Sequence, residues 1–254
     1  MDKNNVWFIT AKTNLHVGNE NISSYGLIDL AVQRNVTTGL PCINSSSLKG
    51  ALNEYAANLK NPDSEQFVFD DQQLIDIFGC DKQGRSKKTQ KGQYTFFDAN
   101  ILFLPVQSDT NLYELVTCEA VLNRFFKQVK LLTGKDITEN DLRDFKYTKT
   151  IKDEVVTEEK FIELCSDDNL PIIARNVLEN GESKNLWYEQ VVPAETVFYT
   201  IIDDNDASIK KNEKDKNDPG EKKVLEEAIK HAPFIQIGAN ATIGYGYCKF
   251  TNLK

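Results

Sequence analysis

Residues 16–51, HVGNENISSYGLIDLAVQRNVTTGLPCINSSSLKGA, decide how this chain is interpreted. The stretch combines several glycines with a lone acid, Asp29, among apolar neighbours. Its last part predicts a polar loop that leads into a helix, with Ser46 or Ser47 as the N-cap and Lys49 in the first turn. Backbone N–H groups, serine hydroxyls and a lysine at a helix start suit a phosphate group, although such starts also occur for purely structural reasons.

Asp29 and His16 are the two residues of this stretch with potential for catalysis. Burying an unpaired carboxylate is costly, so Asp29 either leaves the core face or has a partner, such as Arg34 or a metal ion. His16 ends a predicted strand, Val6 to Val17. It is either a hydrogen-bonded structural residue, or an RNA contact or acid/base group beside Asp29.

The composition indicates one large domain with insertions, since 254 residues with 40% hydrophobic content can bury a substantial core. The five cysteines are scattered without a CxxC pair, which argues against a zinc site. No apolar run is long enough to span a bilayer, and the N-terminus does not read as a signal peptide. We therefore expect a soluble, cytoplasmic protein without a membrane partner.

The net charge of −8 does not exclude nucleic acid, because the charges are unevenly distributed. Residues 136–168 hold eleven acids against five bases, whereas residues 82–91 hold five bases and no acid. The acidic segment can point away from an RNA strand. Such charge runs are also found on ordinary solvated faces.

The chain predicts alternating strands and helices with irregular insertions. We expect helices at Ser47–Leu59, within 65–78, and at 117–132 and 224–231, and strands within 94–106 and 194–202. The basic run Cys80–Gln93 is predicted to be a mobile loop, either solubilising or in contact with RNA. A single domain, 1–254, would carry insertions at about 60–93, 107–170 and 203–223, the last of them disordered.

Two later segments have glycines at informative positions. Asn180-Gly181 predicts a β-hairpin over about residues 171–192, with a purely structural hairpin as the default. Gly238, Gly244 and Gly246 form a Gly-x5-Gly-x-Gly pattern that is neither a dinucleotide fingerprint nor a P-loop. These glycines either make a tight strand turn or let a bare backbone approach a ligand.

Five motifs, in order, resemble one family. They are HVG at residue 16, YGLIDLAVQR at 25, TGLPCINSSSLKGAL at 38, LWYEQVVPAETVFY at 186 and IQIGANATIGYGYCKF at 235. Together they resemble the backbone subunits of type III-B CRISPR effectors, the Cas-seven-like group of the RAMP superfamily in the Cmr complex. The match is weak in about residues 60–95, 105–170 and 203–225.

The resemblance implies an α+β fold with a ferredoxin-like (RRM-like) core, helical insertions and a protruding β-hairpin thumb. It implies a subunit that binds CRISPR guide RNA, stacks head-to-tail with copies of itself and other type III-B effector subunits, and cuts complementary target RNA at regular intervals in antiviral defence. Asp29 would be the catalytic residue and the ligand of a divalent metal, most simply Mg²⁺, with His16 as a second catalytic candidate. The RNA-binding candidates are Ser45, Ser46, Ser47, Lys49, Arg34, Arg175, Gly238, Gly244 and Gly246. The thumb candidates are Leu178, Leu186 and Trp187.

Three other functions are compatible with the same residues. The protein could be a non-catalytic RNA-binding scaffold of this family, a RAMP endonuclease that processes repeat RNA, or a type III-A backbone subunit. The ferredoxin-like core suits RNA, because an open sheet face and its loops can hold unstacked single strands.

Overall fold

The computed structural model describes residues 5–18, 28–80, 89–204 and 224–253. Its strands are β1 (Val6–Ala11), β2 (Cys42–Ile43), β3 (Gly79–Cys80), β4 (Gln90–Lys91), β5 (Tyr94–Phe96), β6 (Ala99–Val106), β7 (Glu114–Val116), β8 (Tyr147–Thr148), β9 (Thr150–Ile151), β10 (Glu154–Val155), β11 (Ile172–Glu179), β12 (Glu182–Gln190), β13 (Val197–Asp204), β14 (Phe234–Gln236) and β15 (Tyr247–Asn252). Its helices are α1 (Ser45–Asn58), α2 (Asp71–Phe78), α3 (Glu119–Thr133), α4 (Glu158–Leu164) and α5 (Val224–His231). The predicted α+β class is confirmed.

The centre of the molecule is a mixed sheet with the strand order β14-β15-β1-β13-β6-β7-β8. Its four longest strands, β15, β1, β13 and β6, are neighbours and pair antiparallel. Along the chain, α1 lies between β1 and β6, and α5 lies between β13 and β15. This gives an order of strand, helix, strand, strand, helix, strand around the core.

Both faces of this sheet are buried. Trp7 and Phe8 follow each other in β1 and therefore point to opposite faces, yet they are only 1% and 3% exposed. Phe8 contacts Phe125 of α3, which covers its face, and Trp7 contacts Phe250. The expectation of an open sheet face for RNA is therefore wrong, because the segment predicted as an insertion at 107–170 contributes α3 as a cover.

Several predicted elements begin or end elsewhere. β1 ends at Ala11, and the chain continues to Gly18 through isolated bridges at Leu15 and Gly18. The predicted helix within 65–78 begins only at Asp71, where the Asp70 side chain accepts a hydrogen bond from the Gln73 amide. The strand region 94–106 divides into β5 and β6. Much of the predicted mobile loop (81–88) and of the predicted disordered segment (205–223) lies outside the described residues.

Asn180 and Gly181 form the turn of a hairpin, as their sequence predicts. Both have positive φ, 53° and 84°, the combination required by a tight two-residue hairpin turn. β11 and β12 pair only with each other in a sheet of their own. All residues from Asn176 to Leu186 are exposed, so this hairpin meets the rest of the described structure only at its base.

No helix of the described residues has the length and apolar character needed to cross a bilayer.

Candidate functional site

Three consecutive residues at the base of the hairpin, Tyr188, Glu189 and Gln190, join the predicted catalytic residues to residues 238–246, which we call the glycine loop. We call these three residues the hairpin base. Each of them contacts a different part of the predicted site. The base therefore fixes the relative positions of segments that are far apart in sequence.

Tyr188 holds Asp29 through its backbone. The Asp29 Oδ2 atom accepts a hydrogen bond from the Tyr188 amide at 2.7 Å, and the Asp29 amide donates to the Tyr188 carbonyl at 3.0 Å. The Asp29 carboxylate nevertheless remains exposed to solvent. The acid therefore leaves the core, as one alternative predicted, but it is held in a fixed position.

Gln190 holds His16. The His16 Nδ1 atom lies 2.7 Å from the Gln190 carbonyl oxygen. Because a carbonyl can only accept, Nδ1 carries a proton and donates it to this hydrogen bond. His16 is only 3% exposed, which favours the structural alternative for this residue.

Glu189, between Tyr188 and Gln190 in the sequence, is a buried carboxylate that is only 2% exposed. Its oxygens accept hydrogen bonds from Arg175 Nε at 2.6 Å and from Asn240 Nδ2 at 2.5 Å. The Arg175 guanidinium also lies over the Tyr245 ring, 4.9 Å from its centroid. Since Asn240 and Tyr245 belong to the glycine loop, Glu189 and Arg175 connect the hairpin to that loop.

Gly238 and Gly246 bring the backbone of the glycine loop close to its neighbours. Their φ values are +82° and +75°, and an added Cβ would collide with the carbonyl oxygens of His16 and Ile237, respectively. Gly244, at φ +85°, faces open space. Gly238 is therefore required for packing beside His16 and Gly246 for packing beside Ile237, and Gly244 is the one with room for a ligand.

The start of α1 differs from its prediction. The N-cap is Asn44 and not Ser46 or Ser47, and the helix begins at Ser45. The Ser45 amide donates to the Asp98 carboxylate at 2.7 Å, so an acid already occupies this end of the helix dipole. Ser47 Oγ accepts from Gln33 at 3.3 Å, while Ser46 and Lys49 are exposed.

Arg34 does not pair with Asp29, the partner that the sequence suggested. Its guanidinium donates to Asp167 Oδ1 and to the carbonyls of Gly39 and Cys165, at distances of 2.7–3.1 Å. Only 21% of its side chain is exposed. These contacts satisfy most of its donors inside the protein.

The thumb candidates lie on different faces of the hairpin. Leu186 pairs with Asn176 and Trp187 with Arg175, so alternation along β12 places Leu186 and Trp187 on opposite faces. Leu178 shares the face of Leu186, and both are more than half exposed. Trp187 shares the face of Arg175 and is half-buried.

A metal site formed by protein side chains alone is not found in the described ranges, where no group of three His, Cys, Asp or Glu residues converges. Mg²⁺, however, commonly uses one or two carboxylates together with substrate phosphates. The exposed Asp29 carboxylate, with one oxygen held by Tyr188, fits that requirement. The cysteine nearest the α1 start is no alternative ligand, since burial and the Asp98 carboxylate raise the pKa of Cys42 to about 11.

The residues missed from the sequence are Glu189, Gln190, Asn240, Asp98 and Asp167. Glu189 carried a usable signal, because a carboxylate beside the apolar run Val191-Val192 requires a partner when buried. Gln190, Asn240 and Asp167 carried none, since their partners lie 23 or more positions away.

Comparison with known proteins gives a consistent result. The sequence model of the RAMP superfamily matches residues 8–249. The chain is 28% identical to the CRISPR system Cmr endoribonuclease Cmr4 of Pyrococcus furiosus, over 89% of this chain and 88% of that protein.

Two solved structures are similar in fold. One is the type III-B Cmr-beta complex bound to cognate target RNA, with a TM-score of 0.62 and 19% identity over 96% of this chain and 95% of the matched chain. The other is oligomeric Cmr4 from Pyrococcus furiosus, with a TM-score of 0.61 and 21% identity over 98% of both chains.

Proposed function

The chain belongs to the RAMP superfamily, and from this premise we propose that it is a backbone subunit of a type III-B CRISPR effector that binds guide RNA and cleaves complementary target RNA. The observation that carries the proposal is the placement of Asp29. This carboxylate is solvent-exposed, yet the Tyr188 amide donates to it and the Asp29 backbone amide donates to the Tyr188 carbonyl, so the residue is fixed at the foot of an exposed hairpin. A relative named as a Cmr endoribonuclease supports the same activity.

The finer architecture is part of this proposal. The strand–helix–strand–strand–helix–strand order of the central sheet supports a ferredoxin-like core. The hairpin formed by β11 and β12 would be the thumb, with Leu178 and Leu186 on the face that meets bases. Head-to-tail stacking of such subunits would place one thumb at each fixed interval of the guide–target duplex.

Binding would be directed to the RNA backbone, so base pairing between guide and target would supply sequence specificity. The exposed Lys49 and Ser46 at the start of α1, and the open side of Gly244, are the groups with room for phosphate. Asp98 at the Ser45 amide would limit phosphate binding to the remaining amides of the first turn. Arg34 and Arg175 would act mainly through protein contacts.

For cleavage, the 2′-hydroxyl of the target RNA attacks the adjacent phosphorus, and the bond to the 5′-oxygen of the next nucleotide breaks. Asp29 would hold the junction in an in-line geometry and orient or deprotonate the hydroxyl. A divalent cation such as Mg²⁺, held by Asp29 and RNA phosphates, would offset the charge that develops. His16, whose Nδ1 donates to the Gln190 carbonyl, would position the hairpin base.

Two substitutions of Asp29 test this function. In the assembled, guide-loaded complex, we expect Asp29→Ala to abolish target cleavage while leaving assembly intact. Asp29→Asn retains an oxygen that can accept from the Tyr188 amide, so any loss of cleavage reports on the charge and not on the local structure. Cleavage that survives in both variants would show that Asp29 is not the catalyst and would favour a scaffold role for this subunit.

The other assignments differ in assembly. A RAMP endonuclease that processes repeat RNA would act as a monomer or dimer, and sizing the protein with guide RNA separates it from a filament. A type III-A backbone subunit would have the same site, and the identity of co-purifying subunits distinguishes that case.

A further inference from the structure

The side chains of Arg34, Asp167 and Gln190 form a network that we call the Asp167 bridge. Asp167 follows α4 at the end of the acidic segment 136–168. Its Oδ1 atom accepts from Arg34 Nη2 at 2.7 Å, from Arg34 Nε at 3.1 Å and from Gln190 Nε2 at 3.2 Å. One carboxylate oxygen therefore joins the acidic segment to two other parts of the protein.

Both partners of Asp167 are connected to the segment that carries Asp29. Arg34 follows Asp29 by five residues, at the far end of the same segment, which runs from 28 to 35. Gln190 is completely buried and holds the middle of that segment. Its backbone amide donates to the Leu30 carbonyl at 2.9 Å, and its side-chain Oε1 accepts from the Val32 backbone amide at 3.2 Å. The bridge thus contacts the segment on the C-terminal side of Asp29.

The same glutamine also fixes the other flank of the site through His16, whose Nδ1 donates to its carbonyl. Rotation of the Gln190 side chain would break its bond to Val32. Two residues set the donor–acceptor orientation of this side-chain amide: the Val32 N–H donates to Oε1, and Asp167 accepts from Nε2 through Oδ1 at 3.2 Å and through its backbone carbonyl at 3.4 Å. Asp167 and Val32 together fix the orientation in which the Gln190 side chain holds the Asp29 segment.

We propose that Asp167 is a positioning residue for RNA cleavage, acting through Arg34 and Gln190 to hold Asp29 in its reactive place. This inference rests on the proposed function, and it gives the acidic segment a specific role. It also commits the partly buried Arg34 guanidinium to Asp167, so a phosphate contact would compete with that carboxylate. The Asp29 carboxylate is held by the Tyr188 amide, so Asp167 acts on it only through other residues.

The test is a single-turnover cleavage assay with the assembled, guide-loaded complex at saturating target. We expect Asp167→Ala to lower the rate constant about ten- to hundredfold, the range for a misplaced catalytic group, with the cleaved fraction unchanged. Asp168 is exposed like Asp167, so Asp168→Ala removes the same charge from the adjacent position without touching the bridge, and it should stay within about twofold of wild type. A structural defect would instead lower the cleaved fraction and the amount of assembled complex.

Arg34→Lys separates positioning from RNA binding. Lysine keeps the charge that a phosphate contact needs but loses the planar fork that reaches Asp167 and two carbonyls. We expect unchanged guide affinity and a rate constant reduced about tenfold. Weaker guide binding at a wild-type rate constant would overturn the proposal. This variant also decides the case if Asp167→Ala fails to assemble.

Asp29→Ala, measured in parallel, distinguishes a failure of the proposed function from a failure of the Asp167 bridge alone. Cleavage that persists in Asp29→Ala refutes the proposed function itself. Loss of cleavage in Asp29→Ala together with wild-type rate constants in Asp167→Ala and Arg34→Lys refutes only the role of the Asp167 bridge.

Discussion

At the scale of single residues, two acids near the hairpin base are held in opposite ways. Asp29 is exposed and receives one backbone hydrogen bond, so most of its hydration is kept. Glu189 is buried and receives charged and neutral side-chain donors. Burying a carboxylate is tolerated only when such partners replace water. The first arrangement leaves an oxygen available for chemistry, whereas the second serves to join elements.

The glycine loop provides a test at the same scale. Gly238→Ala would place a Cβ against the His16 carbonyl in addition to the strain of a positive φ. We expect a loss of unfolding free energy of about 3 kcal/mol, from left-handed strain of roughly 1–2 kcal/mol and overpacking of a similar size. Urea denaturation of wild type and variant measures this difference in unfolding free energy.

Gly244→Ala is the matched control, because its φ is equally positive but its Cβ would meet no atom within 4 Å. This variant should lose only about 1–2 kcal/mol, the strain contribution alone. Equal losses in the two variants would show that the contact with His16 does not constrain the loop.

At the scale of elements, the hairpin depends on Glu189 for its attachment to the glycine loop. Glu189→Ala would leave Arg175 and Asn240 without their acceptor in a largely buried place. Breaking such a pair costs about 3 kcal/mol or more. The variant should therefore unfold at a lower denaturant concentration, measured by circular dichroism.

Glu182→Ala provides the comparison on the same strand. Its side chain is 79% exposed near the hairpin tip, where it lies 3.6 Å from Lys184. Its removal should change the unfolding free energy by less than about 0.5 kcal/mol. A large loss here, or none in Glu189→Ala, would mean that the hairpin is attached by other contacts.

Local sequence patterns predicted the elements better than they predicted the contacts between them. The apolar spacing of Leu48 and Leu52 located α1, and the positive-φ pair Asn180-Gly181 located the hairpin turn, because each signal lies within a few residues. The Tyr188 amide, which holds Asp29, is 159 positions away, and a backbone donor leaves no mark in the sequence. The N-cap was misplaced since Asp98, from a distant loop, satisfies the Ser45 amide.

At the scale of the whole molecule, the distribution of charge and exposed surface is compatible with stacking along RNA. The acidic segment 136–168 contributes α4 and, through Asp167, accepts a hydrogen bond from Arg34. The hairpin, exposed from Asn176 to Leu186, is free to meet RNA or a neighbouring copy. A contact between different surfaces of successive copies does not close on itself and so generates a filament.

The assembly therefore predicts the pattern of cleavage. If each copy presents one Asp29 beside one hairpin, target RNA paired with guide in the purified complex should be cut at equally spaced positions, one interval per subunit.

EDTA should abolish the cuts if Asp29 acts with a divalent cation, because the carboxylate alone would be left to orient the hydroxyl. Denaturing gels of end-labelled target at increasing complex concentration give both results. A single cut, or irregular cuts, would contradict the filament. Evenly spaced cuts that persist in EDTA would instead assign the chemistry to proton transfer by Asp29, since the spacing depends on the stack and the metal requirement on the carboxylate.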